Sequence, residues 1–295
     1  MRNLAGASVL GLHPAAAPAP VTVSPAPGIE ARMGFAAALR RHWPEYLIEA
    51  FLLGTFMVSA LGFTVLLEHP ASTAHAALPD PTLRRALMGC AMGATAIALV
   101  YSPFGQRSGA HFNPALTLTF LRLGKIEPAD ALGYVVAQFA GGLLGVLTTL
   151  GVLGMRVAAP SVNYAVTAPG MAGIAAAFAA ELAISFATML TVLIVSNTAR
   201  LARYTPLFVG ALVATWITFE APISGMSMNP ARSFASAAGA GAFSSLWLYF
   251  AAPLAGMLLA AEVYVRMRGL RAVHCAKLHH QNSQRCIFRC DYHMA

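Results

Sequence analysis

A 295-residue chain that is 58 % hydrophobic and only 10 % charged, with mean hydropathy +0.65, has too little polar surface to meet water on all sides; a soluble domain carries about a quarter charged residues. The composition excludes an ordinary soluble enzyme and points to a bilayer. The net charge of +8 does not argue for a nucleic-acid partner, because the basic side chains sit in short loops and at the two ends of the chain, where membrane topology needs them.

Residues 1–42 are rich in Ala and Pro, with APAP and SPAPG runs, and read as a disordered cytoplasmic tail. The LAGASVLGL run after Arg2 is a weak signal-peptide candidate, set aside because the next apolar segment targets a membrane by itself; Met33 is an alternative start. Six apolar segments are long enough to span, near 45–67, 84–104, 129–153, 171–197, 205–221 and 243–265. Two more, 113–123 and 229–239, hold roughly half of the about 20 residues a spanning helix needs.

The order span, span, short, span therefore occurs twice, as repeats of approximately 43–155 and 168–267 within a membrane domain of 43–267. TFMVSALGF (55–63) and SFATMLTVL (185–193) occupy matching first-span positions. Three spans per half is odd, so the second half enters from the opposite side and the two short helices dip in from opposite faces. The predicted fold is an all-α membrane protein, six transmembrane helices plus two re-entrant half-helices in an inverted three-plus-three repeat. With both termini in the cytoplasm, fifteen of the 19 Lys and Arg residues fall inside, and the connecting loops alone still lean inward, five to four.

Each short segment opens on the same tripeptide, Asn113-Pro114-Ala115 and Asn229-Pro230-Ala231. Asn is a strong N-cap, and Pro in the first helical position forfeits no hydrogen bond. One such pair marks many ordinary turns; two, at matching places in an inverted repeat, mark the starts of half-helices that meet near the bilayer midplane. Irregular backbone at that depth is tolerated only when buried in protein or lining a wet cavity. The two positive helix ends then point at one spot, a barrier to cations and protons but not to a neutral hydrogen-bonding molecule. The Asn113 and Asn229 amides can donate to that molecule.

SGAHFNPALT and SMNPARS, set among six spans, resemble the aquaporin (major intrinsic protein) family over residues 45–265. The resemblance implies a right-handed six-helix barrel with two half-helices, a homotetramer with one pore per subunit, passive conduction of water or small neutral solutes, no cofactor and no catalytic residues. It assigns Arg232 as the constriction arginine, and an isolated charge at membrane depth is a functional residue by default. Met92, with Gly93 as the other register, Ile217 and Met226 fall at the remaining constriction positions. Glu181 is expected to accept hydrogen bonds from its re-entrant loop. Glu49 does the same in the first half if the helices are aligned on ALG (60–62), whereas alignment on Gly54-Thr55 puts Phe51 there. His111 reads as loop-organising or pore-lining, and Gln138 matches a family position beside the small residues Ala140, Gly141 and Gly142. Ser233, Ala237 and the pair Tyr249-Phe250 are similar to water channels rather than glycerol channels, while the Met/Ile/Met/Arg set is less polar than the usual water filter and keeps glycerol, ammonia, peroxide or a metalloid acid open.

Residues 268–295 form a basic tail, expected to lie in the cytoplasm near anionic lipid. It holds Cys275, Cys286 and Cys290, while Cys90 sits in an apolar run, so no secreted disulfide framework is expected. The tail Cys and His spacing matches no common zinc pattern, and no metal is expected. An ion-coupled transporter needs ionisable residues within its spans, and Glu49 and Glu181 both have a structural role instead. An intramembrane enzyme needs a nucleophile with a base, or a metal cluster, at membrane depth, and no such set occurs. A structural membrane protein on the same fold is the third rival. Short loops and the Ala/Pro-rich start point to a bacterial inner membrane.

Overall fold

A computed structural model describes residues 34–292, which are helical with no strand among them. Eight helices carry the architecture: α1 (Phe35–Glu68), α2 (Pro81–Tyr101), α3 (Pro114–Arg122), α4 (Pro128–Leu153), α5 (Gly173–Ser196), α6 (Thr205–Phe219), α7 (Pro230–Ala240) and α8 (Leu248–Arg268). Helices α1, α2, α4, α5 and α8 are long and apolar enough to cross a membrane. The sixth expected span, 205–221, is a 15-residue helix continued by the turn Ala221–Ser224; at about 1.5 Å per residue it covers roughly 22 Å.

The repeat is visible in the packing. α1 lies along α4 as α5 lies along α8, α7 rests on α4 as α3 rests on α8, and α2 pairs with α6 across the pseudo-twofold. Small residues permit the close approaches. A Cβ on Gly141 of α4 would sit 2.1 Å from the Ala50 carbonyl oxygen of α1, and one on Gly93 of α2 would sit 2.5 Å from the Gly210 carbonyl oxygen of α6. Gly93→Leu should therefore push α2 and α6 apart and destabilise the protein by about 1–3 kcal/mol, the usual range for overpacking. The check is thermal unfolding in detergent, where an unchanged midpoint would rule out this contact as a determinant of the fold.

Large apolar side chains such as Leu47, Val136, Leu144 and Leu147 are more than half exposed on the outer helix faces, the arrangement of a protein solvated by lipid.

Two expectations about the ends are corrected. Residues 1–33 of the predicted N-terminal tail lie outside the described residues, but 35–42 are the opening turns of α1, not tail. FAAALRRH is rich in helix formers, Ala38 and His42 are buried, and His42 Nδ1 lies 2.7 Å from Asp130 Oδ1 on α4. At the other end, residues 269–292 are not a loose tail. They fold back across the face where α1 begins and α8 ends: Arg285 donates to the Arg41 carbonyl, Arg289 N to the Lys125 carbonyl, Leu278 N to the Gly109 carbonyl and His274 N to Asn197 Oδ1. Val273, Cys275, Ala276, Leu278 and Phe288 are buried in the main core.

Candidate solute channel

Each half-helix is reached through a loop of the same sequence pattern, Ser-Gly-x-x-x-Asn-Pro-Ala, at 108–115 and 224–231. Sequence reasoning quoted the Ser-Gly start only for the first loop and missed its recurrence at Ser224-Gly225. Backbone torsions repeat too: φ is positive at Gly109, Ala110 and Phe112, and again at Gly225, Met226 and Met228. Non-glycine residues rarely hold that conformation, and a surrounding framework must over-determine it.

Two buried carboxylates supply that framework. Glu181 of α5 accepts from Ser224 Oγ at 2.9 Å, Ser227 N at 2.6 Å and Met228 N at 2.8 Å. Glu49 of α1 accepts from Ser108 Oγ at 2.7 Å, His111 N at 3.1 Å and Phe112 N at 2.6 Å, and additionally from Gln138 Nε2 at 2.8 Å. Phe51 is 53 % exposed on the outer face of α1, so in this structure the loop-facing acid is Glu49. Above each loop a tyrosine closes the arrangement, Tyr134 to the Ser108 carbonyl and Tyr249 to the Ser224 carbonyl. These tyrosines were not singled out for this role from the sequence; their hydrogen bonds link residues far apart in the chain.

The half-helices α3 and α7 meet start to start. Asn113 Oδ1 caps its own helix by accepting from Ala115 N, and Asn229 Oδ1 from Ala231 N and Arg232 N. Each amide then donates one hydrogen to the opposite loop, Asn113 Nδ2 to the Met228 carbonyl and Asn229 Nδ2 to the Phe112 carbonyl, both at 2.8 Å. An amide nitrogen carries two hydrogens, so one on each Asn is left for a guest.

A cavity of about 440 Å³ passes this meeting point, running from Glu68 and Arg85 at one end to His111 and Leu278 at the other. Asn113, Asn229, Arg232, Met92, Ile217 and Met226 all line it. Gly93 does not, being turned against Gly210. Sequence reasoning missed Phe56, Met88, Thr188 and Met228, which join the wall. The wall is thus amphipathic: Met and aliphatic side chains on the helices face the Asn amides and Arg232. The Arg232 Nη1 is buried and donates to no protein acceptor, leaving a cationic donor on the wall of the passage.

His111 lies at the far end. Its Nε2 donates to the Ala276 carbonyl at 2.8 Å, Nδ1 lies 3.0 Å from Thr117 Oγ1, and its ring stacks between Phe120 and Phe288. These contacts fix the ring against the loop and the C-terminal segment, the loop-organising arrangement.

A barrel of membrane helices whose two half-helices converge on an amphipathic passage defines a membrane channel. The family model described as Major intrinsic protein matches residues 40–264, and the chain belongs to that family, whose members are passive channels and not enzymes. Among curated relatives, it is 34 % identical over 200 residues to Aquaporin NIP1-2 of Oryza sativa subsp. japonica, an alignment that covers 67 % of this chain and 63 % of the rice protein. It is 33 % identical over 202 residues to Glycerol uptake facilitator protein-like 6 of Lactiplantibacillus plantarum, covering 67 % of this chain and 84 % of that one. Among solved structures, the aquaglyceroporin from Plasmodium falciparum superimposes with a TM-score of 0.59 at 21 % identity, over 76 % of this chain and 95 % of that one, a likeness of fold.

Proposed function

We propose that the chain conducts water as its main solute, excludes protons and cations, and works as a homotetramer with both termini in the cytoplasm. The observation that carries this reading is the pair of reciprocal Asn amides and the unpartnered Arg232 Nη1 facing one passage whose wall is largely Met, Phe and aliphatic side chains. Apolar walls offer a passing molecule no competing partners, so a water column is held at the few polar points and reoriented there by helix N-termini that repel positive charge. The exposed apolar faces of α1 and α4 supply surface for lipid and for neighbouring subunits.

A second reading is a channel for glycerol-sized neutral solutes. The observation in its favour is the Met92, Ile217 and Met226 wall opposite Arg232: a polyol presents carbon on one side and hydroxyls on the other, and this passage matches both. The curated relatives divide between the two names.

Stopped-flow light scattering on vesicles holding the purified protein separates the readings. An osmotic step with an impermeant solute should collapse the vesicles at least several-fold faster than protein-free ones. Rapid glycerol entry with background water flux would replace the first reading by the second, and background rates for both solutes would refute conduction of either.

A further inference from the structure

Conduction of solute leaves the C-terminal segment without a role. Cys275, His280, Cys286 and Cys290 each offer one ligand atom, and these four atoms lie within 4.8 Å of one another. Cys275 Sγ stands 3.6 Å from Cys286 Sγ, and Cys290 Sγ 3.0 Å from His280 Nε2. Around tetrahedral zinc, with bonds of about 2.3 Å to sulfur and about 2.0 Å to nitrogen, ligand atoms stand roughly 3.5–3.8 Å apart, so the four are close to the corners already. A sulfur separation of 3.6 Å is not a disulfide, whose bond is about 2.05 Å, and all three thiols are free.

We propose that Cys275, His280, Cys286 and Cys290 bind a zinc ion as a closed Cys₃His site, and that the ion fastens residues 269–292 over the mouth of the channel.

A metal would add to the hydrogen bonds and buried side chains that already hold the segment. Apart from the short turn Leu270–Ala272 it is irregular, so no helix or sheet holds its two strands of chain together. Loop-rich pieces of this size ordinarily rely on a metal or a disulfide. Lys277 Nζ, between the ligands in sequence, donates to the Gln284 and Arg285 carbonyls and adds a positive charge beside the thiols.

Residues next to the ligands touch the channel. The Ala276 carbonyl receives the His111 imidazole, the Phe288 ring stacks on it, and Leu278 is part of the cavity wall. His111 is two residues from Asn113, so the metal site is a few bonds from the narrow passage. Releasing the ion frees both contacts and withdraws Leu278. This regulatory half rests on the channel reading; zinc binding itself does not.

The full-length protein, purified in detergent without chelator, should contain about one zinc per chain by elemental mass spectrometry. Cys286→Ser with Cys290→Ser should bring that below a tenth, while Cys90→Ser on α2 leaves it unchanged. Trypsin should spare Arg285 and Arg289 in the zinc-loaded wild type and cut there at least tenfold faster once a chelator has stripped the ion, with the helical domain intact; this needs no variant to fold. In vesicles, stripping should raise solute flux several-fold, and Leu278→Ala should do the same with zinc retained. Wild-type protein holding iron, a Cys275–Cys286 disulfide, or less than a tenth of a zinc would overturn the site. Zinc bound with flux indifferent to chelator would overturn the gate alone. Zinc bound, with no flux in any state, defeats the channel reading and leaves the site standing.

Discussion

Glu49→Ala and Glu181→Ala should each damage the fold more than any other single change in the membrane domain. Both carboxylates are fully buried and act as the acceptor for a loop that has no water to turn to. Removing Glu181 orphans the Ser224 hydroxyl and the Ser227 and Met228 N–H groups; removing Glu49 orphans the corresponding three donors and one Gln138 amide hydrogen, the other staying on Thr117 Oγ1. A buried donor left unpaired costs about 1–3 kcal/mol, so three or four together come to roughly 3–12 kcal/mol, comparable with the whole stability of an ordinary domain. The positive φ values at Ala110, Phe112, Met226 and Met228 then lose the contacts that enforce them, and the Asn N-caps lose their opposite-loop carbonyls. The expected result is a fall of more than about 10 °C in Tm, or failure to elute as a monodisperse peak in detergent. Glu49→Gln, which keeps the shape and one acceptor oxygen, should fall between wild type and Ala. A Tm within about 2 °C of wild type for both Ala variants would show that the loops are held by something else.

The glutamates also mark where linear sequence stops being informative. The twin Asn-Pro-Ala motifs and the span order were legible because they repeat, and repetition is visible without coordinates. The register of α1 was not, because two residues of helix turn a side chain by about 200° and the chain offers small residues at both candidate alignments. The choice is made in space, by the N–H groups of His111 and Phe112 converging on Glu49 while Phe51 faces outward. Met92 and Gly93 differ by one residue, about 100°, and what separates them is Gly210, more than a hundred positions away. Phe56 and Met228 enter the wall for the same reason. The C-terminal segment was the least legible part. Its Cys and His residues follow no local spacing rule, and they come together because Gly109, Lys125 and Asn197, on three different connections, direct the path of the chain.

Arg232→Val should open the passage to cations and protons. The Arg232 Nη1 is buried, donates to no protein acceptor and borders the same cavity as the two Asn amides. At about 5 Å and an effective dielectric near 20, one fixed positive charge repels a passing cation by about 3 kcal/mol, roughly two decades in rate. Valine removes the charge while keeping a branched side chain at that turn of α7. Proton leak into vesicles containing a pH-sensitive dye should therefore rise by up to about a hundredfold, with water flux within about threefold of wild type. It should stop short of the leak of an open cation pore, because the paired N-termini of α3 and α7 still present about half a unit charge each toward the midplane. Arg232→Lys, which keeps the charge and loses the planar fork, should leave the leak low while altering solute flux. A Val variant that leaks no faster than wild type would remove Arg232 from the barrier and leave ion exclusion to the half-helix dipoles alone.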